Sequence, residues 1–180
     1  MEIIETKIKG LLEIIPNVFG DERGYFLESY QVRELNRAGI IQEFVQDNQS
    51  YSTKGVLRGL HFQKEPFAQA KLVRVISGKV LDIAVDLRKD SSTFGEYYGC
   101  ILDDKRHNML YIPPGFAHGF ATLEDAIFVY KCSDYYNKDA ESGIKWNDET
   151  LQIDWMLKDP VISAKDQQWM SFKEYQLQGE

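Results

Sequence analysis

Runs of residues that alternate between apolar and polar side chains recur along the chain. The clearest is VLDIAVDLR, residues 80–88. It places Leu81, Ile83, Val85 and Leu87 on one side and Asp82, Ala84 and Asp86 on the other. A second run, AIFVYKC, places Phe128, Tyr130 and Cys132 on a common side. Since successive side chains of a β-strand point in opposite directions, both runs predict strands with one buried face.

The acidic side of residues 80–88 permits two interpretations. If the aliphatic side packs against a second sheet, the carboxylates of Asp82 and Asp86 face either solvent or a wet cavity inside a barrel. Charged side chains are rarely buried without partners, so from this run alone we expect the acidic side to be exposed.

Glycine and proline interrupt the chain at short intervals, from Pro16 to the turn Pro113-Pro114-Gly115. Only QVRELNRAG, residues 31–39, has a helical pattern, and Gly39 is expected to end that helix. Many short strands separated by turns are typical of a β-sandwich or barrel. The pattern therefore predicts an all-β fold with a few short helices.

Composition narrows the class of protein. The 180 residues, 43% hydrophobic and 27% charged, fit one domain spanning residues 1–180. The net charge of −7 argues against a nucleic-acid surface, but a few cations suffice to bind a phosphorylated small molecule. Two cysteines, Cys100 and Cys132, are too few for a disulfide framework, and no run has signal-peptide or transmembrane length. We expect a cytoplasmic protein without a nucleic-acid or membrane partner.

Two histidines lie in segments that deserve comparison with enzyme motifs. In GVLRGLHFQ, residues 55–63, a regular strand would place His61 on one side and Arg58 on the other. In YIPPGFAHGF, residues 111–120, a tight turn precedes His118, whose neighbours are apolar. A single histidine among apolar residues is more often structural than functional, so neither residue alone indicates a site.

The spacing Pro-x-Gly-x-x-His, residues 113–118, resembles the second motif of the cupin superfamily, whose members are double-sheet jelly rolls. Metal-binding cupins usually supply His-x-His and a glutamate from their first motif, whereas this chain has His61-Phe62-Gln63. The remaining histidine, His107, lies in the polar turn DDKRHN. With one histidine from each motif, we expect no metal site.

Longer segments resemble one family of that superfamily, the dTDP-4-dehydrorhamnose 3,5-epimerases. The resemblance covers nearly the whole chain. It rests on DERGYFLESY, FVQDNQSYSTKGVLRGLHFQ, AQAKLVRVISGKVLDIAVDLRKDSSTFGEYYG, YIPPGFAHGFATL, FVYKCSDYYN, Trp146-Asn147-Asp148 and ISAKD. Each fragment alone is weak, but their number, order and spacing make the match specific.

The resemblance implies a reaction and its catalytic residues. The substrate would be dTDP-4-dehydro-6-deoxy-D-glucose, inverted at C-3 and C-5 to dTDP-4-dehydro-L-rhamnose in dTDP-L-rhamnose synthesis, without a cofactor. His61 matches the base, and histidine has an ordinary pKa near neutrality. Asp166 would orient its ring, and Tyr130 would donate a proton from the opposite face. Lys71 would stabilise the enolate.

The resemblance also implies a substrate-binding set. Arg23 and Arg58 match positions that hold substrate, and guanidinium groups suit a diphosphate. The other matching positions are Phe26, Glu28, Gln46, Asn48, His118, Tyr136, Glu141 and Lys165, with Asp82 in a supporting role. Because Arg58 and His61 have opposite strand parity, either a bulge intervenes or Arg58 reaches the ligand from another wall or subunit.

Family membership would also imply a homodimer in which an N-terminal strand joins the partner's sheet. Three alternative functions stay open. One is an epimerase that inverts a single carbon in another dTDP-deoxysugar pathway, and another is a metal-dependent cupin oxygenase or isomerase. The third is a catalytically silent cupin that binds sugar nucleotides. The joint presence of His61, Tyr130, Lys71 and Asp166 favours an enzyme, because binding alone does not need that set.

Overall fold

The computed structural model describes residues 1–178 and consists mainly of antiparallel strands, which confirms the predicted all-β class. The strands are β1 (Glu2–Glu5), β2 (Leu12–Ile15), β3 (Val18–Asp21), β4 (Gly24–Leu27), β5 (Gln46–Ser52), β6 (Val56–Gln63), β7 (Lys71–Asp86), β8 (Tyr97–Asp103), β9 (Met109–Ile112), β10 (Phe116–Cys132), β11 (Glu141–Gly143) and β12 (Val161–Ile162). The helices are α1 (Val32–Arg37), a 3₁₀ turn (Asp166–Gln168) and α2 (Phe172–Leu177). No helix within residues 1–178 is long and apolar enough to cross a membrane.

Two long strands, β7 and β10, organise the fold because each belongs to two sheets. They pair with each other over most of their length, with register shifts between Thr122 and Phe128. The first half of β7 also pairs with β9 and its second half with β8. The first half of β10 pairs with β6 and its second half with β5. One sheet is therefore β1-β2-β9-β7-β10-β5 and the other is β8-β7-β10-β6-β11, the double-sheet jelly roll that the cupin resemblance implies.

The apolar side chains form a central core and two outer ones. The central core lies between the sheets and includes Val73, Phe120 and Phe128, and the last two rings stack with centroids 4.2 Å apart. The C-terminal segment, with Phe172, covers the outside of the second sheet. Helix α1 covers the outside of the first sheet through Leu35. Both sheets are thus buried on two faces near the middle of the molecule.

The expectation that the acidic side of β7 is exposed is wrong. Asp82 and Asp86 are both fully buried, while the aliphatic side packs against the C-terminal segment rather than a second sheet. Asp86 accepts hydrogen bonds from Arg88 and from two hydroxyl groups nearby, and Asp82 contacts His118. Carboxylates can be buried when donors reach them. For Asp86 the donors come from the turn that directly follows β7, and for Asp82 the partner comes from another strand, and strand alternation shows neither.

The predicted helix is present, and a second helix was not predicted. Gln31 caps α1, and Gly39 follows its C-terminal end with a φ of 80°, as expected. Helix α2 begins at a capping box in which Ser171 and Glu174 hydrogen-bond each other's backbone amides. The spacing Ser-x-x-Glu is a known signal for a helix start and could have revealed α2.

Candidate active site

A pocket opens between the two sheets, and both sheets contribute side chains to it. The second sheet provides His61 from β6, while the first provides Lys71 from β7 and Tyr130 from β10. The full lining comprises Gln46, Asn48, His61, Phe62, Gln63, Gln69, Lys71, Tyr130, Cys132, Tyr136 and Glu141. The pocket therefore contains titratable groups from both sheets.

His61 is held by a buried carboxylate. Its Nε2 lies 2.7 Å from Asp166 Oδ1, and the side chains are 32% and 5% exposed respectively. Burial alone would raise the pKa of Asp166, but hydrogen bonds from His61, the Gly59 amide and Trp169 outweigh it, and the pKa falls below its usual range. An ionised Asp166 keeps the proton on Nε2, which leaves the Nδ1 lone pair free to accept a proton.

Tyr130 and Lys71 line the pocket from the first sheet. They belong to neighbouring strands, and Lys71 lies directly across from Cys132, two residues beyond Tyr130. Burial raises the pKa of Tyr130 and lowers that of Lys71, although Cys132 and the nearby carboxylates oppose the effect on Lys71. A low-dielectric environment of this kind strengthens the attraction between an ammonium group and a developing oxyanion.

A second histidine–aspartate pair lies beside the first. His118 Nε2 lies 2.9 Å from Asp82 Oδ2, and both side chains are buried. His118 is also the cross-strand partner of His61. Burial lowers the pKa of His118, and Asp82 partly offsets that effect. The pair fixes the orientation of the His118 ring next to the pocket.

Polar contacts connect the rim of the pocket. Tyr136 donates a hydrogen bond to Glu141 at 2.7 Å, and Lys165 contacts the other oxygen of Glu141. The backbone amide of Tyr136 donates to the side-chain oxygen of Gln46. Burial acts to raise the pKa of Glu141, but the contacts with Lys165 and Tyr136 outweigh it and lower that pKa.

A bulge removes the parity conflict between Arg58 and His61. His61 pairs with His118 and Arg58 pairs with Phe120, so three steps on β6 oppose two steps on β10. Since cross-strand partners share a face, the extra residue brings Arg58 to the same face as His61. The two strands approach closely here, because a Cβ atom on Gly59 would lie 2.5 Å from the Cα of Gly119.

Beyond the bulge, a groove adjoins the pocket, and Arg58, His61, Lys165 and Asp166 line it. This groove brings two cations, Arg58 and Lys165, next to His61, an arrangement that suits a diphosphate. Within residues 1–178, no three His, Cys, Asp or Glu side chains lie close enough together to hold a metal ion.

Known proteins resemble this chain over most of its length. The family model for dTDP-4-dehydrorhamnose 3,5-epimerase matches residues 5–174. The chain is 52% identical to the dTDP-4-dehydrorhamnose 3,5-epimerase of Shigella flexneri over 168 residues, which cover 92% of this chain and 93% of that protein. The chain belongs to the dTDP-4-dehydrorhamnose 3,5-epimerase family.

Solved structures of epimerases have the same fold. The dTDP-6-deoxy-D-glucose-3,5-epimerase of Legionella pneumophila, in complex with dTDP-4-keto-L-rhamnose, is 47% identical, with a TM-score of 0.92 over 96% of this chain and 93% of that chain. A 3'-monoepimerase from Streptomyces bikiniensis, in complex with dTDP-quinovose, is 29% identical, with a TM-score of 0.87 over 93% of this chain and 86% of that chain. Double and single epimerases therefore share one architecture, and the higher identity lies with the double epimerase.

Most residues matched to the epimerase family line the pocket or the groove of this one chain. His118 and Asp82 are buried beside the pocket without lining it, and three other residues lie away from it. Arg23, Phe26 and Glu28 are exposed, on the hairpin β3–β4 or directly after it, and line neither the pocket nor the groove. Arg23 forms an ion pair with Asp21 of the same hairpin. This hairpin forms a two-stranded sheet of its own. Within a single chain, these three residues therefore lie away from both the pocket and the groove.

Sequence reasoning missed several residues at the site. Gln63 accepts a hydrogen bond from the amide of Asn137 and donates to the carbonyl of Phe67, so it connects two loops at the rim. Its place in the first cupin motif, where a metal ligand is usual, was the available signal. Trp169 donates a hydrogen bond to Asp166. The only signal for this contact in the sequence was that the two residues lie three positions apart. Gln69 had no signal in the sequence.

Proposed function

We propose that the chain is a dTDP-4-dehydrorhamnose 3,5-epimerase that inverts C-3 and C-5 of dTDP-4-dehydro-6-deoxy-D-glucose. One observation carries the proposal. His61, oriented by Asp166, lines one pocket from β6, and Lys71 and Tyr130 line the same pocket from β7 and β10. Inversion beside a ketone needs a base on one face of the sugar, an acid on the other, and a cation at the ketone oxygen.

The first half of the reaction is proton removal. Nδ1 of His61 takes the proton from a carbon next to C-4, and the C–H electron pair becomes the C=C bond of an enolate. The ketone π pair moves onto the C-4 oxygen, where the Lys71 ammonium group donates a hydrogen bond. Because burial disfavours an isolated charge on Lys71, the new oxyanion and the ammonium group stabilise each other strongly.

The second half is proton return from the other face. Tyr130 is held neutral by its raised pKa, so its hydroxyl group has a proton to give. The C-4 oxygen pair re-forms the ketone as Tyr130 protonates the carbon, which is then inverted. Tyr130 regains a proton from solvent and His61 releases one, after which the second flanking carbon can react in the same way.

The remaining polar groups bind the substrate. Arg58 and Lys165 line the groove beside His61 and are placed to bind the diphosphate. Gln46, Asn48 and Glu141 supply hydrogen-bonding groups around the sugar. No step in this scheme requires a cofactor.

A deuterium wash-in experiment tests the proposal. The enzyme is incubated with thymidine-diphosphate 4-keto-6-deoxyglucose in heavy water, and deuterium is located by NMR. We expect deuterium at both C-3 and C-5 and a product inverted at both. Exchange at one carbon only would establish the single-carbon epimerase instead, and tight binding without exchange would indicate a silent binding protein. Loss of turnover on chelation, restored by added metal, would indicate a metal-dependent cupin.

The variant His61→Asn supplies the matched control for that experiment. Asparagine keeps a polar side chain at this position but is not a base at neutral pH. We expect exchange to be abolished at both carbons, with dTDP affinity nearly unchanged. Exchange at the wild-type rate would refute His61 as the base.

We further propose that two copies form a homodimer in which the hairpin β3–β4 of each subunit contacts the other subunit's pocket. The hairpin is not part of its own chain's large sheet, and it carries the exposed side chains Arg23 and Phe26. A two-fold dimer would place both hairpins equivalently. Light scattering at micromolar concentration should give twice the chain mass, and a monomer would exclude the arrangement.

Mixing inactive variants tests the contribution of the hairpin. A chain with His61→Asn retains its hairpin, and a chain with Arg23→Ala and Phe26→Ala retains its base. If each hairpin completes the partner's site, random reassociation should restore up to about a quarter of the wild-type sites. Absence of any recovery in a mixture shown to exchange subunits would contradict the proposal.

We also propose that the enzyme works in the cytoplasm. Cys100 and Cys132 are free thiols in the structure, and a reducing compartment keeps thiols in that form. Fractionation of cells that produce the native chain, followed by immunoblotting, checks this assignment. Recovery mainly outside the cytoplasmic fraction would contradict it.

A further inference from the structure

Trp169 contacts both members of the histidine–aspartate pair. Its indole Nε1 lies 3.2 Å from Asp166 Oδ1, the same oxygen that lies 2.7 Å from His61 Nε2. Its ring meets the His61 imidazole edge to face, with centroids 5.9 Å apart. One side chain thus hydrogen-bonds the carboxylate and packs against the base that the carboxylate orients.

Local backbone structure explains why the indole reaches Asp166. The 3₁₀ turn spans Asp166–Gln168, and Trp169 is the residue that ends it. A 3₁₀ helix has three residues per turn, so side chains at positions i and i+3 lie above one another. Ser163 supports this turn, since its hydroxyl group accepts a hydrogen bond from the Asp166 amide.

The indole also packs closely against Gly143 of β11. A Cβ atom on Gly143 would lie 2.6 Å from the Trp169 ring, so only glycine leaves room for the indole there. Gly143 is the cross-strand partner of His61. A backbone hydrogen bond joins the two segments just beyond these residues, since the Lys145 amide donates to the Met170 carbonyl at 2.8 Å. The ring is therefore confined directly beside the base.

We propose that Trp169 is a positioning residue for the epimerisation: its indole N–H holds the Asp166 carboxylate in the orientation that aims Nδ1 of His61 into the pocket. The inference rests on the proposed base role of His61. Trp169 does not itself touch the sugar carbon, and its effect passes through Asp166. With the His61 and Gly59 donors, the indole gives the carboxylate three hydrogen bonds.

The indole donor also affects how tightly the pair holds a proton. A hydrogen bond to the ionised form favours that form, and Trp169 contributes to the lowered pKa of Asp166. Without this donor the carboxylate attracts a proton more strongly and stabilises the imidazolium form of His61. The pair should then become protonated at a higher pH, which deactivates the base.

Other charged groups around the pair are unchanged by removal of the indole N–H. Glu141 and His118 interact electrostatically with His61 from β11 and β10. Arg58 lines the groove with His61, and the Lys165 ammonium group lies 5.5 Å from the Trp169 ring. Tyr130 and Lys71 also face the pocket. A phenylalanine ring would keep the packing of the indole while removing its donor.

The test is Trp169→Phe, with Trp155→Phe as the matched control. Trp155 is buried, and its indole donates to the Trp146 carbonyl at 2.7 Å, outside the pocket and groove. We expect Trp169→Phe to lower kcat roughly tenfold and to change KM less than about twofold. The loss in kcat is smaller than the rate enhancement of about 10²–10⁴ that a positioned general base contributes, because the base itself is retained. The acid limb of the pH profile should move to higher pH by roughly half a unit. Trp155→Phe should change neither quantity.

Two results would overturn the inference. One is a wild-type kcat and acid limb in Trp169→Phe, and the other is a raised KM at unchanged kcat, which would mean that the ring acts on binding through Lys165. NMR titration of the His61 imidazole in the free protein measures the same shift without substrate. If the wild-type chain lacked epimerase activity, the proposed function would fail, while this titration would still decide whether Trp169 acts on the pair.

Discussion

Replacing Asp166 with asparagine tests the contact on which the proposed base depends. The change keeps the shape of the side chain and removes its charge and one acceptor oxygen. Asp166 accepts from His61 at 2.7 Å, from Trp169 at 3.2 Å and from the Gly59 amide at 3.3 Å. Asparagine has one acceptor oxygen, so its NH₂ group must face at least one of these donors.

Both orientations of the asparagine are harmful. If its oxygen faces His61, the Gly59 amide loses its partner, and an unsatisfied buried donor costs about 1–3 kcal/mol. If its NH₂ group faces His61, Nε2 must accept, and the proton moves to Nδ1, which can no longer act as the base. The corresponding change in serine-protease triads lowers kcat about 10⁴-fold. We therefore expect kcat to fall about 10²–10⁴-fold and the free energy of unfolding to fall by about 1–3 kcal/mol.

Steady-state turnover and urea unfolding measure these two effects, and Asp148→Asn is the control. Asp148 is buried and accepts hydrogen bonds from the amides of Thr150, Leu151 and Phe172, outside the pocket. That variant should lose stability but keep its kcat. A wild-type kcat in Asp166→Asn, or an equal loss of kcat in both variants, would refute the role assigned to Asp166.

Three further predictions follow from the structure. Lys71→Gln should lower kcat roughly 10²–10³-fold with dTDP affinity retained, and a loss below about threefold would exclude Lys71 as the enolate's partner. Tyr130→Phe should slow net inversion more than deuterium uptake in the same NMR sample, and equal slowing would contradict its role as the acid. Burial acts to raise the pKa of Asp86, but its hydrogen bonds lower it to about 2. The ionised Asp86 therefore stabilises the fold by about 2 kcal/mol above about pH 4, and this stabilisation is lost as pH falls through about 2. Asp86→Asn should lower the free energy of unfolding at pH 7 and flatten its dependence on pH in the acid range. An unchanged slope would contradict the role of Asp86.

Strand patterns were sufficient to predict the sheets but not what covers them. The alternation in β7 and β10 is strong because both strands cross the centre of the molecule, where each face has a definite environment. The burial of Asp82 could not be predicted, since its partner His118 comes from another strand. That residues 1–180 form one domain stays a prediction, and residues 179–180 lie outside the described part of the chain.

For the site, the family resemblance identified residues that local sequence could not connect. His61 and Asp166 are separated by 105 positions, and only the folded chain brings them to 2.7 Å. The parity conflict at Arg58 came from assuming a regular strand, and a single bulged residue resolves it. The roles of these residues stay predictions. Arg23 and Phe26 lie on a hairpin that does not line the pocket of its own chain, so their part in the site depends on the proposed dimer.

The close approach of β6 and β10 limits how this site can diversify. A Cβ atom on Gly119 would lie 2.6 Å from the Arg58 carbonyl oxygen, and one on Gly59 would meet Gly119. Any larger residue at either position would push the strands apart and would displace both His61 and Arg58. We expect mutational libraries to recover almost only glycine at both positions. Changes in sugar preference should arise instead at rim residues such as Gln46 and Tyr136, which can vary without altering the spacing between His61 and Arg58.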